Sequence, residues 1–248
     1  MIEEIKDFLH ETTFKKGFNS VVFGLSGGID SAVVGYFCKE VFRDNARAFI
    51  MPSSFSNPSH LEDAINYAKY INLHYEVVDI SKIQSTFINT LNLDSIHRIG
   101  NLCSRIRMCI LYDMSFKYNS LVVGCSNKSE LMLGYGTHYG DLAYALNPIG
   151  DIFKTDIFAL AKKIGIPEYI INKPPSADLF ENQSDESDLG YSYERIDELL
   201  KKIDLGFKYR DLENHYEEEF LKSIFSRIEK NAFKSQLPLI LKCKEKIN

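Results

Sequence analysis

Ser26-Gly27-Gly28-Ile29-Asp30-Ser31 is preceded by the apolar run Val21-Val22-Phe23-Gly24-Leu25 and followed by Ala32-Val33-Val34-Gly35-Tyr36-Phe37-Cys38. The apolar run reads as a buried strand and the stretch after the turn as a helix. A small-residue turn between a strand and a helix N-terminus is an anion site, because orphan backbone N–H groups and the helix dipole both point at it. Paired glycines let the backbone approach the anion, and Ser26 and Ser31 add hydroxyls. Asp30 is out of place in a pure phosphate cradle, since a carboxylate repels phosphate. It fits if a hard divalent cation stands between them.

Outward from this turn, strands and helices alternate. Ile2, Ile5, Phe8 and Leu9 mark an amphipathic first helix. Ala46-Arg47-Ala48-Phe49-Ile50-Met51 reads as a second strand, followed by a polar loop over residues 52–58. Ser59 and Glu62 have capping-box spacing and predict a helix through Ala64, Ile65, Ala68 and Ile71. Tyr75-Glu76-Val77-Val78 is a third strand, residues 80–118 are mostly helical with a break at 94–100, and Leu121-Val122-Val123-Gly124 is a fourth strand. This alternation implies a parallel sheet with right-handed crossovers, whose ligands bind beyond the C-terminal strand ends. Pro174-Pro175 then leads into an acidic stretch at 181–188, with helical patterns to the end and no internal repeat.

With 248 residues and 45% hydrophobic content, the chain is expected to form one domain over residues 1–248. Its net charge of -5 argues against a nucleic-acid-wrapping surface. Cys38, Cys103, Cys109, Cys125 and Cys243 form neither a C-x-x-C pair nor a zinc pattern, and read as free thiols of a reducing compartment. Met1-Ile2-Glu3-Glu4-Ile5-Lys6 lacks the character of a signal peptide. No apolar run approaches the ~18 residues of a membrane span. A soluble, cytoplasmic protein is expected, with no membrane or nucleic-acid partner.

The fourth strand runs into Gly124-Cys125-Ser126-Asn127-Lys128-Ser129-Glu130, which puts Glu130 near the same sheet edge as Asp30. Two carboxylates there can hold Mg²⁺ on a polyphosphate, with substrate oxygens and waters completing the octahedron. The plainer alternative is that Glu130 decorates a surface helix.

The full S-G-G-x-D-S after a strand resembles the pyrophosphate-binding loop of the N-type ATP pyrophosphatases, which cleave ATP between the α- and β-phosphates and adenylate a substrate oxygen. A Walker A loop is excluded, because no lysine follows the glycines. Further motifs resemble the ammonia-dependent NAD synthetase family in that family's order, over roughly residues 18–240. They are Gly134-Tyr135-Gly136-Thr137-His138-Tyr139-Gly140-Asp141, Asn147-Pro148-Ile149-Gly150 with Lys154-Thr155, Lys173-Pro174-Pro175-Ser176-Ala177-Asp178-Leu179, Gln183-Ser184-Asp185-Glu186 and Asp188-Leu189-Gly190-Tyr191-Ser192-Tyr193. Gly134-Tyr135-Gly136 is not a dinucleotide fingerprint, since Tyr139 takes the third-glycine position and no strand directly precedes it.

The resemblance implies an α/β, three-layer adenine nucleotide alpha-hydrolase-like (Rossmann-like) fold with a parallel sheet and C-terminal helices. It implies that Gly24, Leu25, Ser26, Gly27, Gly28, Ile29, Asp30 and Ser31 bind ATP, joined by Cys125, Lys154 and Ser176. Asp30 and Glu130 would hold Mg²⁺, and Arg105 would contact deamido-NAD. Asp30 and Lys154 would serve catalysis. Asp141 is a candidate for binding ammonium and helping to deprotonate it, its alternative being a turn aspartate. Three positions depart from the family: Cys125 replaces a threonine common there, His138 a lysine and Ala145 an aspartate found in some members.

The implied reaction amidates deamido-NAD to NAD through an adenylated dinucleotide, releasing AMP and pyrophosphate. Free ammonia, or ammonia from a separate partner, is the expected nitrogen donor, because 248 residues leave no room for a glutaminase domain. The family works as a homodimer with dinucleotide sites at the interface. The loops at 53–59 and 176–190 are expected to act as lids. Two rivals remain. A tRNA-modifying ATP pyrophosphatase usually needs a basic RNA surface or a reactive cysteine pair, and this acidic chain shows neither. A non-enzymatic nucleotide-binding module would bind ATP without forming AMP.

Overall fold

The structure, a computed structural model, describes residues 1–176 and 184–242; residues 177–183 of the second expected lid, and Cys243, lie outside the described residues. In chain order the elements are α1 (Ile2–Lys15), β1 (Val21–Gly24), α2 (Ile29–Phe42), β2 (Ala46–Ile50), α3 (Pro58–Tyr70), β3 (His74–Val77), α4 (Ser81–Leu91), α5 (Ile96–Lys117), β4 (Leu121–Val122) and α6 (Lys128–Leu133). They continue with α7 (Lys154–Lys163), α8 (Glu168–Ile171), α9 (Asp185–Leu189), α10 (Tyr193–Asp204), α11 (Tyr209–Leu212) and α12 (Glu218–Asn231).

The strands form one parallel sheet in the order β3-β2-β1-β4, with Val21 in register with both Ala46 and Leu121. Side chains alternate across it, and both faces are covered. Val21, Phe23, Ala46, Ala48 and Ile50 pack with residues of α1, α2, α3, α7 and α8. Val22, Phe49 and Val122 pack on the other face with Ile99, Cys103 and Ile106 of α5. Double coverage explains why the strands read as unbroken apolar runs and not as alternation. A second core joins α6 and α9 to α12 around Tyr193, Ile196, Leu200 and Phe220. The expected three-layer α/β architecture with C-terminal helices is therefore present.

Several boundaries differ from expectation. Asn57, not Ser59, caps α3: its side chain accepts the Ser59 N–H at 3.0 Å, and Pro58 occupies the first helical turn. The helical break lies at residues 92–95, earlier than expected, where Asn92 turns left-handed with φ +48° and ends α4. The fourth strand stops at Val122 because the Gly124 N–H turns to Leu146 O at 2.8 Å, and Val123 bridges Leu146 in parallel. No described helix is long and apolar enough to cross a membrane.

Candidate active site

The chain builds β1, β2 and β3 outward on one side of β1, then returns to place β4 on the other. That reversal opens a crevice between the loops after β1 and β4, where ligands of open α/β sheets bind. The first loop is braced from within. Ser31 Oγ donates to Gly28 O at 3.0 Å and accepts the Ser26 N–H at 3.2 Å, while Ser26 Oγ accepts the Gly28 N–H at 3.2 Å. Both hydroxyls, expected as anion donors, thus also fix the turn. Gly27 sits at φ +82°, and a Cβ there would stand 2.4 Å from His60 O of α3. Only glycine satisfies both demands. No side chain caps α2, so its first-turn N–H groups remain for an anion.

From the second loop, Asn127 and Glu130 form a reciprocal capping box: Asn127 Oδ1 accepts the Glu130 N–H at 3.0 Å and Glu130 Oε2 the Asn127 N–H at 3.1 Å. Asn127 Nδ2 also donates to Asp30 Oδ1 at 3.0 Å, tying the two loops together. Lys154, at the first position of α7, donates from Nζ to Asp30 Oδ2 and lies 3.8 Å from Glu130 Oε1. Its side chain is 2% exposed, and its ammonium lies 5.4 Å from the Tyr193 ring centre.

Burial opposes the Lys154 charge, yet Asp30, Glu130 and Asp185 overcome it and hold its pKa above the ordinary lysine value. Burial, and then Asp30, push Glu130 well above the usual carboxylate range despite Lys154. Burial also raises Asp185, which accepts from Tyr135 Oη at 3.2 Å and Tyr193 Oη at 3.3 Å. Three carboxylates therefore surround one ammonium. Asp30 and Glu130 beside an anion-binding loop fit Mg²⁺, which is typically held by one or two carboxylates together with substrate phosphates.

A cavity of about 510 Å³ fills the crevice. Gly24, Leu25, Ser26, Gly28, Ile29, Asp30, Ser31, Cys125, Glu130, Asp141, Lys154 and Ser176 all line it, while Gly27 shapes the loop from behind against α3. Burial, followed by Asp30 and Glu130, pushes the Cys125 thiol far up, and its Sγ donates to Gly24 O at 3.9 Å. Asp141 stands on another wall, where Oδ1 accepts from Ser104 Oγ at 2.6 Å and from the Thr137 N–H at 2.9 Å. That is the bonding of a turn aspartate.

Arg105 departs from the group. It is exposed on α5, does not line the cavity, and donates from Nε to His138 O at 3.3 Å. The 53–59 loop, expected as a lid, is bonded to α4, and Met51, just after β2, to α5. The Ser54 N–H and hydroxyl both bond Gln84 Oε1, at 3.0 and 2.9 Å, and Arg107 Nε donates to Met51 O at 2.9 Å. His138 stacks on Tyr139 with centroids 3.9 Å apart, and the Ala145 N–H donates to Val122 O at 2.9 Å.

Sequence reading missed Asn127, Asp185, Lys173, Arg107 and Lys234, all of which touch the site. Lys173 donates to Gly27 O at 3.2 Å and pairs with Asp63. Lys234 donates to Gly134 O at 2.8 Å and Gly136 O at 3.0 Å, with burial holding its pKa down. The N-x-x-E spacing at 127–130 carried a signal for Asn127. Lys173 stood in a quoted motif without being singled out, and Arg107 and Lys234 carried no signal.

A doubly covered parallel sheet with a glycine loop, an acidic pair and a buried lysine at its switch point defines an ATP-handling α/β enzyme. The NAD synthase family profile matches residues 1–238, and the chain belongs to that family. It is 51% identical over 246 residues to the NH(3)-dependent NAD(+) synthetase of Helicobacter pylori strain HPAG1, covering 97% of this chain and 95% of that one. The NH3-dependent NAD synthetase of Campylobacter jejuni, solved with a nitrate ion, superposes with a TM-score of 0.85 at 40% identity over 97% of both chains. The NMN synthetase of Francisella tularensis superposes with a TM-score of 0.88 at 28% identity, over 98% of this chain and 97% of that one.

Proposed function

We propose that this protein amidates deamido-NAD to NAD with ATP and ammonia. The observation that carries the reading is the convergence of Asp30, Glu130 and Lys154 on the glycine loop, in a chain of the NAD synthase family. Ammonia does not displace hydroxide from a carboxylate at a useful rate, so the carboxylate is first activated. Its oxygen attacks the α-phosphorus of ATP, forming a mixed acyl–AMP anhydride and expelling pyrophosphate. Ammonia then attacks the acyl carbon, AMP leaves, and the extra proton on nitrogen is lost.

In the first step the loop N–H groups and Lys154 meet the charge that builds on the phosphates. Asp30 and Glu130 are the residues that hold Mg²⁺, which neutralises polyphosphate charge when bound. Asn127 keeps Asp30 aimed at the loop. In the second step Asp141, on the facing wall, is the candidate group for binding ammonium and taking its proton. Asp141→Asn with normal pyrophosphate exchange but lost ammonia use supports that role, and unchanged ammonia kinetics removes it.

The homodimer belongs to the same reading. Arg105, Cys109, Tyr112 and Phe116 recur at helical spacing on α5, and all four are exposed, Phe116 most of all at 91%. A second copy covering this stripe places Arg105 at a shared dinucleotide site. A reducing cytoplasm is the setting in which the four described cysteines, all free, stay thiols.

The test is purified protein with ATP, Mg²⁺, ammonium and deamido-NAD, following NAD and AMP together. Equal amounts of both are expected, and none without ammonium. AMP without NAD hands the acceptor to another ATP pyrophosphatase, and ATP binding without AMP leaves a binding module. Deamidated NMN offered in place of deamido-NAD is expected to be the poorer acceptor, in line with the 51% identity to a NAD synthetase against 28% to an NMN synthetase.

A further inference from the structure

Asp197 lies on α10, outside the cavity lining, and is 1% exposed. A buried carboxylate is costly unless it is fully bonded, and its bonds run to the two helices that carry the site. Oδ1 accepts from Ser129 Oγ at 2.5 Å, and Oδ2 accepts the Thr155 N–H at 2.8 Å. Ser129 Oγ in turn accepts the Lys154 N–H at 2.9 Å. The hydroxyl has one proton, and it goes to Asp197, which leaves a lone pair for Lys154. Phe153, the residue before α7, has no side-chain oxygen to cap that helix. The first two N–H groups of α7 are therefore capped in trans, one by Ser129 of α6 and one by Asp197 of α10. The negative charge also faces the positive end of the α7 dipole.

The residues held in this way are the immediate neighbours of the chemistry. Ser129 precedes Glu130, and Lys154 is itself the residue whose N–H is fixed. We infer that Asp197 is a positioning residue for the reaction: through Ser129 it sets Glu130 and Lys154 against Asp30 without touching substrate. This rests on Asp30, Glu130 and Lys154 forming the ATP-cleaving centre.

Asp197→Asn keeps the shape but removes the negative charge at the start of α7 and one of the two acceptor oxygens shared by Ser129 and the Thr155 N–H. Ser129→Ala cuts the same link from its other end. Each is expected to lower kcat about 100-fold, as a displacement near 1 Å does, with the KM for ATP little changed. Because the bonds form one chain, the double variant is expected to match the worse single variant within about twofold, where independent sites would multiply. A purely structural carboxylate gives a different result: a lowered Tm with kcat kept when assayed well below it, or multiplying effects, and either overturns the inference. If Asp197→Asn does not fold, Ser129→Ala decides alone, a large kcat loss supporting the link and an unchanged kcat refuting it. Lys154→Met in the same assay separates the premises. Full activity there fells the proposed centre, whereas loss there with full activity in Asp197→Asn fells only the role of Asp197.

Discussion

Lys154 concentrates the chemistry of the site in one side chain. Burial works against its charge, and the carboxylates around it keep the ammonium in place. Lys154→Met is expected to lower kcat at least about 100-fold, the scale of losing one transition-state donor, read by AMP formation at saturating ATP. Gly27 is constrained by shape, not charge. Gly27→Ala needs a left-handed residue and drives its methyl into the His60 carbonyl, so it is expected to cost about 3 kcal/mol in denaturant unfolding. Cys125 is half-buried on the cavity wall with its thiol pushed far up, and so stays protonated across the neutral range. At pH 7–8 iodoacetamide is expected to label exposed Cys109 well before Cys125, checked by peptide mass mapping. At this scale the motif residues Asp30 and Glu130 were legible, because their types are chemically odd beside an anion loop. The cap at Asn127 was also readable from its spacing to Glu130, but its bond to Asp30 and the part of Asp185 were not, since those come from what the fold brings opposite them.

At the scale of elements, legibility followed burial. The strand at 21–24 is covered on both faces, and its apolar run announced it. The edge strand at 74–77 is mostly exposed, and only its β-forming residues gave it away. The fourth strand was overextended because Val123 and Gly124 continue the apolar pattern, while Val123, still bonded to Val22 O, bridges Leu146 and the Gly124 N–H turns to Leu146 O. No local pattern encodes that choice of partner. The start of α3 was misread for a different reason: Ser59 and Glu62 mimic a capping box, but the preceding Asn57-Pro58 pair takes the role. Asn57→Ala is accordingly expected to cost about 1 kcal/mol in thermal or denaturant unfolding. Ser59→Ala, inside the helix, is expected to stay within about 0.5 kcal/mol of the parent. Equal costs for the two would return the cap to Ser59.

For the molecule as a whole, the sheet and the proposed ATP-cleaving centre are gathered in one chain, whereas Arg105, proposed for the acceptor, stands apart from them. Arg105 is separated from the cavity and shares its face of α5 with Tyr112, 40% exposed, and Phe116, 91% exposed. The adjacent α4 buries only Gln84 and leaves Ile83, Phe87 and Leu91 substantially exposed at i, i+4 and i+8. Apolar stripes of this kind on neighbouring helices fit the proposed contact with a second copy of the chain. Sedimentation equilibrium is therefore expected to give twice the 28.4 kDa chain mass. Phe116→Asp buries a charge in that interface and is expected to weaken dimerisation about 30-fold or more, the scale of a central interface residue. If Arg105 meets deamido-NAD across the two-fold, the monomeric variant will raise the KM for deamido-NAD while ATP binding, built within one chain, stays as it was. A monomeric parent protein removes the shared site outright. A monomeric Phe116→Asp with unchanged kinetics would instead leave the dimer standing and return Arg105 to the role of a surface arginine bonded to the His138 carbonyl.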